Sequence, residues 1–170
     1  MLGWDRHLES WIAGHRVSAL DPVFRWLTYI GTDGAVWLVI AAVLALTSRR
    51  WSVLLWVAVA DAAAQVSTLL LKEAVPRARP YVDVIVHEPH SHSFPSGHAA
   101  SSFACAFVLA THAPRLRWPF YVLAALIAFS RTYVGVHYPL DVLAGSLWGL
   151  LIGKAVLELE GLVRRTKARR

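Results

Sequence analysis

Apolar residues gather into five runs separated by short polar breaks, roughly residues 34–47, 51–71, 98–113, 118–134 and 139–159. No alternation of apolar and polar positions competes with a helical reading of these runs. A helix crosses the hydrocarbon core of a bilayer with about 20 residues. The second and fifth runs meet that length alone. The first, third and fourth need flanking residues, tilt or local thinning of the bilayer. The expected fold class is therefore all-α, an integral membrane helical bundle.

The first 31 residues follow another pattern. Trp4, Leu8, Trp11 and Ile12 recur at helical spacing, opposite Asp5, Arg6 and Glu9. That predicts an amphipathic helix lying on the membrane. Residues 20–31 predict a second interfacial helix, with Asp21 as N-cap and Pro22 at its first position. A short sixth span through this stretch is the competing reading, and it would move the N-terminus to the cytoplasm. The expectation is five to six transmembrane helices plus an N-terminal amphipathic interfacial helix. One membrane-embedded domain is expected over residues 1–170, with 1–31 as the interfacial region and 160–170 as a basic tail. Residues 1–20 carry Asp5, Arg6, Glu9 and Arg16 with no continuous apolar core, which is not the pattern of a signal peptide. Neither an internal repeat nor a low-complexity linker interrupts the chain.

Composition agrees with a membrane setting. The apolar share is 56% and the mean hydropathy +0.48, above the soluble range. Eight tryptophans suit a protein with two membrane interfaces. The single Cys105 lies in an apolar run, so no internal disulfide forms and a buried, inert thiol is expected. The net charge of +6 would suit nucleic acid, but its placement points elsewhere. If the chain zigzags, Arg49-Arg50, Arg115 and Arg117, and the tail from Arg164 to Arg170 share one side. A side rich in Lys and Arg is cytoplasmic, and such a tail anchors against anionic lipid. The loop at 73–97 and the turn at 132–138 then face outward. Their cations are few: Lys72, Arg77, Arg79 and Arg131.

Three stretches carry candidate chemistry. Lys72-x6-Arg79-Pro80 ends the second run; Pro76 and Pro80 stop the helix, so Lys72 and Arg79 can turn toward one anion. A lysine at a helix end is by itself an ordinary interface anchor. Pro95-Ser96-Gly97-His98 opens the third run. Ser96 is a good N-cap, Gly97 admits a ligand close to the backbone, and a helix N-terminus offers N–H groups to a phosphate. The plainer reading is a simple cap with a wet interface histidine. Ser130-Arg131-x5-His137-x3-Asp141 is the most specific. Spacing i,i+4 places His137 and Asp141 on one helix face. A carboxylate that takes one ring N–H leaves the other nitrogen free to act as a nucleophile. Ionisable groups inside membrane segments are costly and functional by default.

These three stretches, in this order, resemble the signature of the type-2 phosphatidic acid phosphatase superfamily, which vanadium haloperoxidases share. All three motifs match, and the resemblance covers roughly residues 51–159. The short apolar chain looks like the lipid phosphatase branch. The resemblance implies that His137 is the nucleophile forming a phosphohistidine, that Asp141 orients it, and that His98 is the general acid. It further implies that Lys72, Arg79, Arg131, Ser96 and Gly97 bind the phosphoryl oxygens, with Pro80 and Ser130 as scaffold. No metal and no cofactor are implied, since fixed cations supply the charge stabilisation.

The remaining ionisable groups receive weaker readings. His87, His90 and His92 with Glu88 have a spacing that fits no closed metal site well, and a mobile outer loop near the head group is favoured. Asp61, four residues before Gln65, is read as bonding a neighbouring helix, with an ion pathway as the sharper alternative. Tyr81 and Phe94 are candidates for the entrance. The expected activity is removal of a terminal phosphate from a membrane lipid on the extracytoplasmic face of a bacterial cytoplasmic membrane. Undecaprenyl diphosphate is the leading substrate, with phosphatidylglycerophosphate or phosphatidate next. Lipid A and polyprenyl-phosphoribose phosphatases also stay open. The expected partner is thus a phospholipid or polyprenyl diphosphate, with no nucleic acid. The alternative function is a binding or transport protein that recognises lipid phosphates without hydrolysis; it leaves His98, His137 and Asp141 unexplained.

Overall fold

Each long apolar run becomes one helix, because a backbone surrounded by lipid must satisfy its own N–H and C=O groups. The computed structural model describes residues 3–87 and 90–169. Glu88 and Arg170, and the first two residues of the predicted interfacial region, lie outside these. Seven α-helices occur among the described residues: α1 (Gly3–Gly14), α2 (Asp21–Ile30), α3 (Ala35–Ser48), α4 (Trp51–Ala74), α5 (Gly97–His112), α6 (Arg117–Tyr133) and α7 (Pro139–Ala168). Single 3-10 turns precede α2, α3 and α6.

Helices α4, with 24 residues, and α7, with 30, are each long and apolar enough to span a membrane. Residues 18–30 and 32–48 form a third candidate, a broken span bent by 62°. The bend falls at Gly31–Gly34. Gly34 has a positive φ of 68°, and a Cβ there would run into the Asp61 carboxylate. Helices α5 and α6 have 16 and 17 residues, short of the length a straight span requires.

Helix α5 lies at the centre, packed against α4, α6 and α7. Its buried face is built of small residues: Ala99, Ala100, Ser101, Ser102, Ala104, Cys105 and Ala106. Opposite them, α7 presents Gly145, Gly149 and Gly153, all buried. A Cβ on any of the three would press on the α5 backbone at Ser96, Ala100 or Ala104. Lipid gives helices no hydrophobic reason to associate, so close van der Waals approach of small residues holds the pair. Polar bonds tie the neighbouring helices to this pair: Trp37 Nε1 of α3 donates to Ser102 Oγ of α5 at 3.1 Å, and Trp148 Nε1 of α7 to Ser67 Oγ of α4 at 2.9 Å. Asp61 joins α4 to α5 through Ser101 and also accepts from Gln65 at 2.8 Å. Cys105 is buried and free. The outward faces of the bundle are apolar, with Val39, Leu55, Leu70, Trp118, Val122 and Leu147 exposed, as lipid contact requires.

Two local expectations shift. Asp21 is the first residue of α2, not its N-cap; Leu20 takes that place, and the Asp21 carboxylate instead accepts from Tyr133 Oη at 2.8 Å. The basic tail is not separate from the last helix. Helix α7 runs through it to Ala168, helped by Arg164 reaching back one turn to Glu160 at 2.5 Å.

Candidate functional site

The ends of α4 and α6 and the starts of α5 and α7 meet at one end of the bundle, and the three sequence stretches arrive there together. Helix α4 delivers Lys72 in its last turn. The Lys72 ammonium donates to the His92 carbonyl, so the loop after α4 folds back over it. Arg79, in that loop, is buried. Its guanidinium donates to the Val136 carbonyl at 2.6 Å, the Ser91 carbonyl at 2.9 Å and Ser91 Oγ at 3.2 Å. Its Nη1 lies 3.3 Å from His137 Nε2. A forked, planar cation is thereby fixed beside an imidazole nitrogen.

At the start of α5, Ser96 takes the N-cap position but makes no side-chain cap bond. Its Oγ is buried without a hydrogen-bond partner. Its backbone N–H donates to the Asp141 carbonyl at 3.0 Å, tying α5 to α7. His98 follows in the first turn, with Nε2 3.5 Å from Thr32 Oγ1. A cavity of about 130 Å³ opens beside His98 and Lys72, bordered also by Gly31, Asp33, Gln65 and Leu69.

The last stretch closes the site. Arg131, 3% exposed, has an Nε with no hydrogen-bond partner. The chain then turns through Gly135, whose φ of 86° favours glycine. His137 comes before α7 and not within it, so the predicted shared helix face does not apply. The turn nevertheless brings Nδ1 to 3.6 Å from Asp141 Oδ2. That is longer than a hydrogen bond, and Nδ1 has no partner. Asp141 is held by others: Oδ2 accepts the Tyr138 N–H at 3.0 Å, and Oδ1 accepts from Arg77 at 2.5 Å.

Electrostatics around His137 are one-sided. Burial, then Arg79, Arg131 and Lys72, hold its imidazole well below the ordinary histidine range of about 6.5. The ring is therefore neutral at physiological pH, with Nδ1 toward a carboxylate and Nε2 toward cations. His98 is near enough to His137 for the two rings to interact electrostatically. Three cations, two imidazoles and a buried serine hydroxyl gather at this end of the bundle, the set of groups that a tetrahedral anion calls for; of these, Lys72 and His98 line the cavity.

Three residues outside the signature belong to this cluster. Arg77 bridges Asp141 and Asp5 and stacks on the Tyr138 ring at 4.1 Å. Asp5, on α1, is fully buried. The sequence signal for Asp5 was its place on the polar face of α1, which reads as a solvated face. Of the loop histidines, His92 joins the cluster through its carbonyl, which accepts from Lys72. His87 and His90 meet edge to face at 5.9 Å, and no group of three metal-binding side chains occurs among the described residues.

Comparison with known proteins places this geometry. The PAP2 superfamily matches residues 51–164. The decaprenylphosphoryl-5-phosphoribose phosphatase of Mycobacterium tuberculosis is 37% identical over 153 residues, covering 85% of this chain and 83% of that protein. The undecaprenyl-diphosphatase of Sulfolobus acidocaldarius is 28% identical over 165 residues, covering 94% and 80%. The crystal structure of a transmembrane PAP2-type phosphatidylglycerolphosphate phosphatase from Bacillus subtilis superposes with a TM-score of 0.76 at 29% identity, covering 94% of this chain and 85% of that one.

Proposed function

The chain belongs to the PAP2 superfamily and is a lipid phosphatase, and on that premise we propose how its site works and on what. His137 Nε2 attacks the phosphorus of a terminal phosphate in line with the bond to the lipid oxygen. That bond breaks, the phosphoryl group passes to His137, and His98 donates a proton to the departing oxygen. Water then attacks the phosphohistidine while His98 takes its proton, releasing inorganic phosphate and restoring both rings. Lys72, Arg79 and Arg131, with Ser96 Oγ and the Gly97 amide, hold the non-bridging oxygens. Asp141 balances the positive charge that grows on His137.

One observation carries this reading: a buried neutral imidazole set between a carboxylate at Nδ1 and a guanidinium at Nε2. A phosphate-binding protein needs the cations and has no use for that arrangement. The proposed reaction needs no metal, because the three fixed cations take the place of one.

The leading substrate is undecaprenyl diphosphate, converted to undecaprenyl phosphate; phosphatidylglycerophosphate and phosphatidate come next. Similarity to a prenyl-phosphoribose phosphatase supports a long prenyl chain as the lipid part. The proposed topology is one domain over residues 1–170 with five spans, α3 to α7, and with α2 at the site end of the bundle, where Asp21 accepts from Tyr133 and Thr32 follows beside His98. Its active site faces away from the cytoplasm and its C-terminus lies inside, as the arginines at 49–50, 115–117 and 164–170 support.

The test is phosphate release by purified protein from prenyl diphosphates, phosphatidate and phosphatidylglycerophosphate. Wild type is expected to prefer a prenyl diphosphate, and His137→Ala to lose turnover. Full turnover in His137→Ala would end the nucleophile assignment.

A further inference from the structure

We propose that Asp5, on the N-terminal helix, is a positioning residue for the phosphatase reaction: it fixes Arg77 against Asp141, and through Asp141 sets the orientation and charge of His137. The proposal rests on the reading of His137 as nucleophile.

Asp5 is fully buried, and each of its oxygens has its own partner. Oδ2 accepts from Arg77 Nη2. Oδ1 accepts the Leu140 N–H at 2.9 Å, in the first turn of α7. The other arm of the same guanidinium, Nη1, goes to Asp141 Oδ1 at 2.5 Å, and the Tyr138 ring closes its face at 4.1 Å. Arg77 is thus held on three sides, and Asp141 Oδ2 is left for the Tyr138 N–H and His137. The two carboxylates raise Arg77 above its usual range despite burial. A ladder runs from α1 through the α4–α5 loop to α7 and the nucleophile.

Charge gives the ladder its purpose. Arg77 alone against Asp141 would make a neutral pair, a poor partner for an imidazole that becomes positive when phosphorylated. Asp5 restores one net negative charge across the three groups. Buried carboxylates are rare unless paired, and both oxygens of Asp5 are paired, one with Arg77 and one with the Leu140 N–H. Other charged or titratable groups face the ladder: Arg6 and Glu9 on α1 and Tyr138 before α7, with Arg16 close to Glu9. Lys72, Arg79, Arg131 and His98 face His137 from α4, its loop, α6 and α5. Of these others, Tyr138 touches both Arg77 and α7, through an uncharged ring and its backbone N–H.

The test compares Asp5→Asn, Arg77→Met and the double variant with wild type and His137→Ala, in detergent with a prenyl diphosphate. Asparagine keeps an acceptor for the Leu140 N–H and loses the charge. Asp5→Asn is expected to lower kcat about 100-fold with KM changed less than about threefold. The acid limb of its pH profile should move to lower pH, because one negative charge near His137 is gone. Arg77→Met should move the limb the other way. The double variant should return it close to wild type, with kcat no lower than in the slower single variant. A merely structural role would not move the limb in opposite directions. If Asp5→Asn does not fold, as size exclusion would show, the double variant carries the test, since it removes one negative and one positive charge together and leaves Asp141 on the Tyr138 N–H. Turnover within twofold of wild type in either Asp5→Asn or the double variant, or unshifted acid limbs, would overturn the proposal. Inactive wild type would instead overturn the phosphatase reading beneath it.

Discussion

Replacing Gly149 with alanine tests whether the close approach of α5 and α7 builds the site. The new Cβ would lie 2.9 Å from the Ala100 carbonyl carbon and 3.0 Å from its Cα, with the carbonyl oxygen nearer still. Carbon atoms rest comfortably from about 3.5 Å, so relieving the carbonyl carbon alone moves the helices apart by about 3.5 − 2.9 = 0.6 Å. The contact is backbone, so no side chain can swing away. Overpacking of this kind costs about 1–3 kcal/mol, a fall in Tm of about 2–12 °C for a chain of this size. Helix α5 carries His98 and α7 carries Asp141, so the two halves of the chemistry separate. The nearer carbonyl oxygen demands more than 0.6 Å; a displacement of about 1 Å costs about 10²-fold in rate, and a loss of about 10- to 100-fold is expected here. Gly161→Ala is the control: its Cβ meets nothing within 4 Å, and alanine stabilises a helix interior relative to glycine by about 0.5–1 kcal/mol. The assay is thermal unfolding in detergent together with kcat on one prenyl diphosphate. Gly149→Ala melting and turning over like wild type would refute the close-approach reasoning.

Other outcomes follow from single groups. As the proposed nucleophile, His137 must be neutral to attack, and in the free protein its pKa is held well below 6.5; the acid limb of kcat/KM against pH should therefore fall below 6.5, and a limb above that value would contradict the assignment. Glu9 is buried with both oxygens unpartnered, and burial raises its pKa from 4.5 to about 7. The folded state then holds a proton that the unfolded chain releases, so stability should decline as pH rises from about 4.5 to about 7; Glu9→Gln should flatten that slope in a Tm series. Arg131→Lys keeps the charge and loses the planar fork, and kcat should drop about 10²-fold, as phosphate release will show. A cysteine at exposed Asp83 should react with an impermeant thiol reagent from outside intact cells, with little background from buried Cys105; labelling only from inside would reverse the topology.

Spacing alone carried much of the molecule. Apolar runs at 98–113 and 118–134 became α5 at Gly97–His112 and α6 at Arg117–Tyr133, because helix ends in a membrane protein follow the limits of apolar sequence. The site was legible where its residues sit at element ends: Lys72, Ser96, Gly97, His98 and Arg131 each lie within a turn of a helix terminus, which local sequence marks. His137 was harder, because a turn through Gly135 and not a helix face brings it to Asp141. Arg77 and Asp5 were not legible at all. Their partnership spans 72 positions along the chain, and no local pattern reports a contact at that distance.

The N-terminal helix shows why hydrophobic patterning misreads such contacts. An amphipathic helix beside water buries its apolar face and exposes its polar one. Here the reverse holds: Trp4 and Trp11 are exposed, while Asp5 and Glu9 on the opposite face have no exposed surface. The protein itself is the polar medium for Asp5, while Glu9 is buried without a hydrogen-bond partner. The same periodicity therefore fits a helix floating on the bilayer and a helix that sends one acid, Asp5, to Arg77 and the start of α7. What separates the two is a cation and a helix N-terminus waiting beneath it, and in this chain Arg77 and the Leu140 N–H supply both.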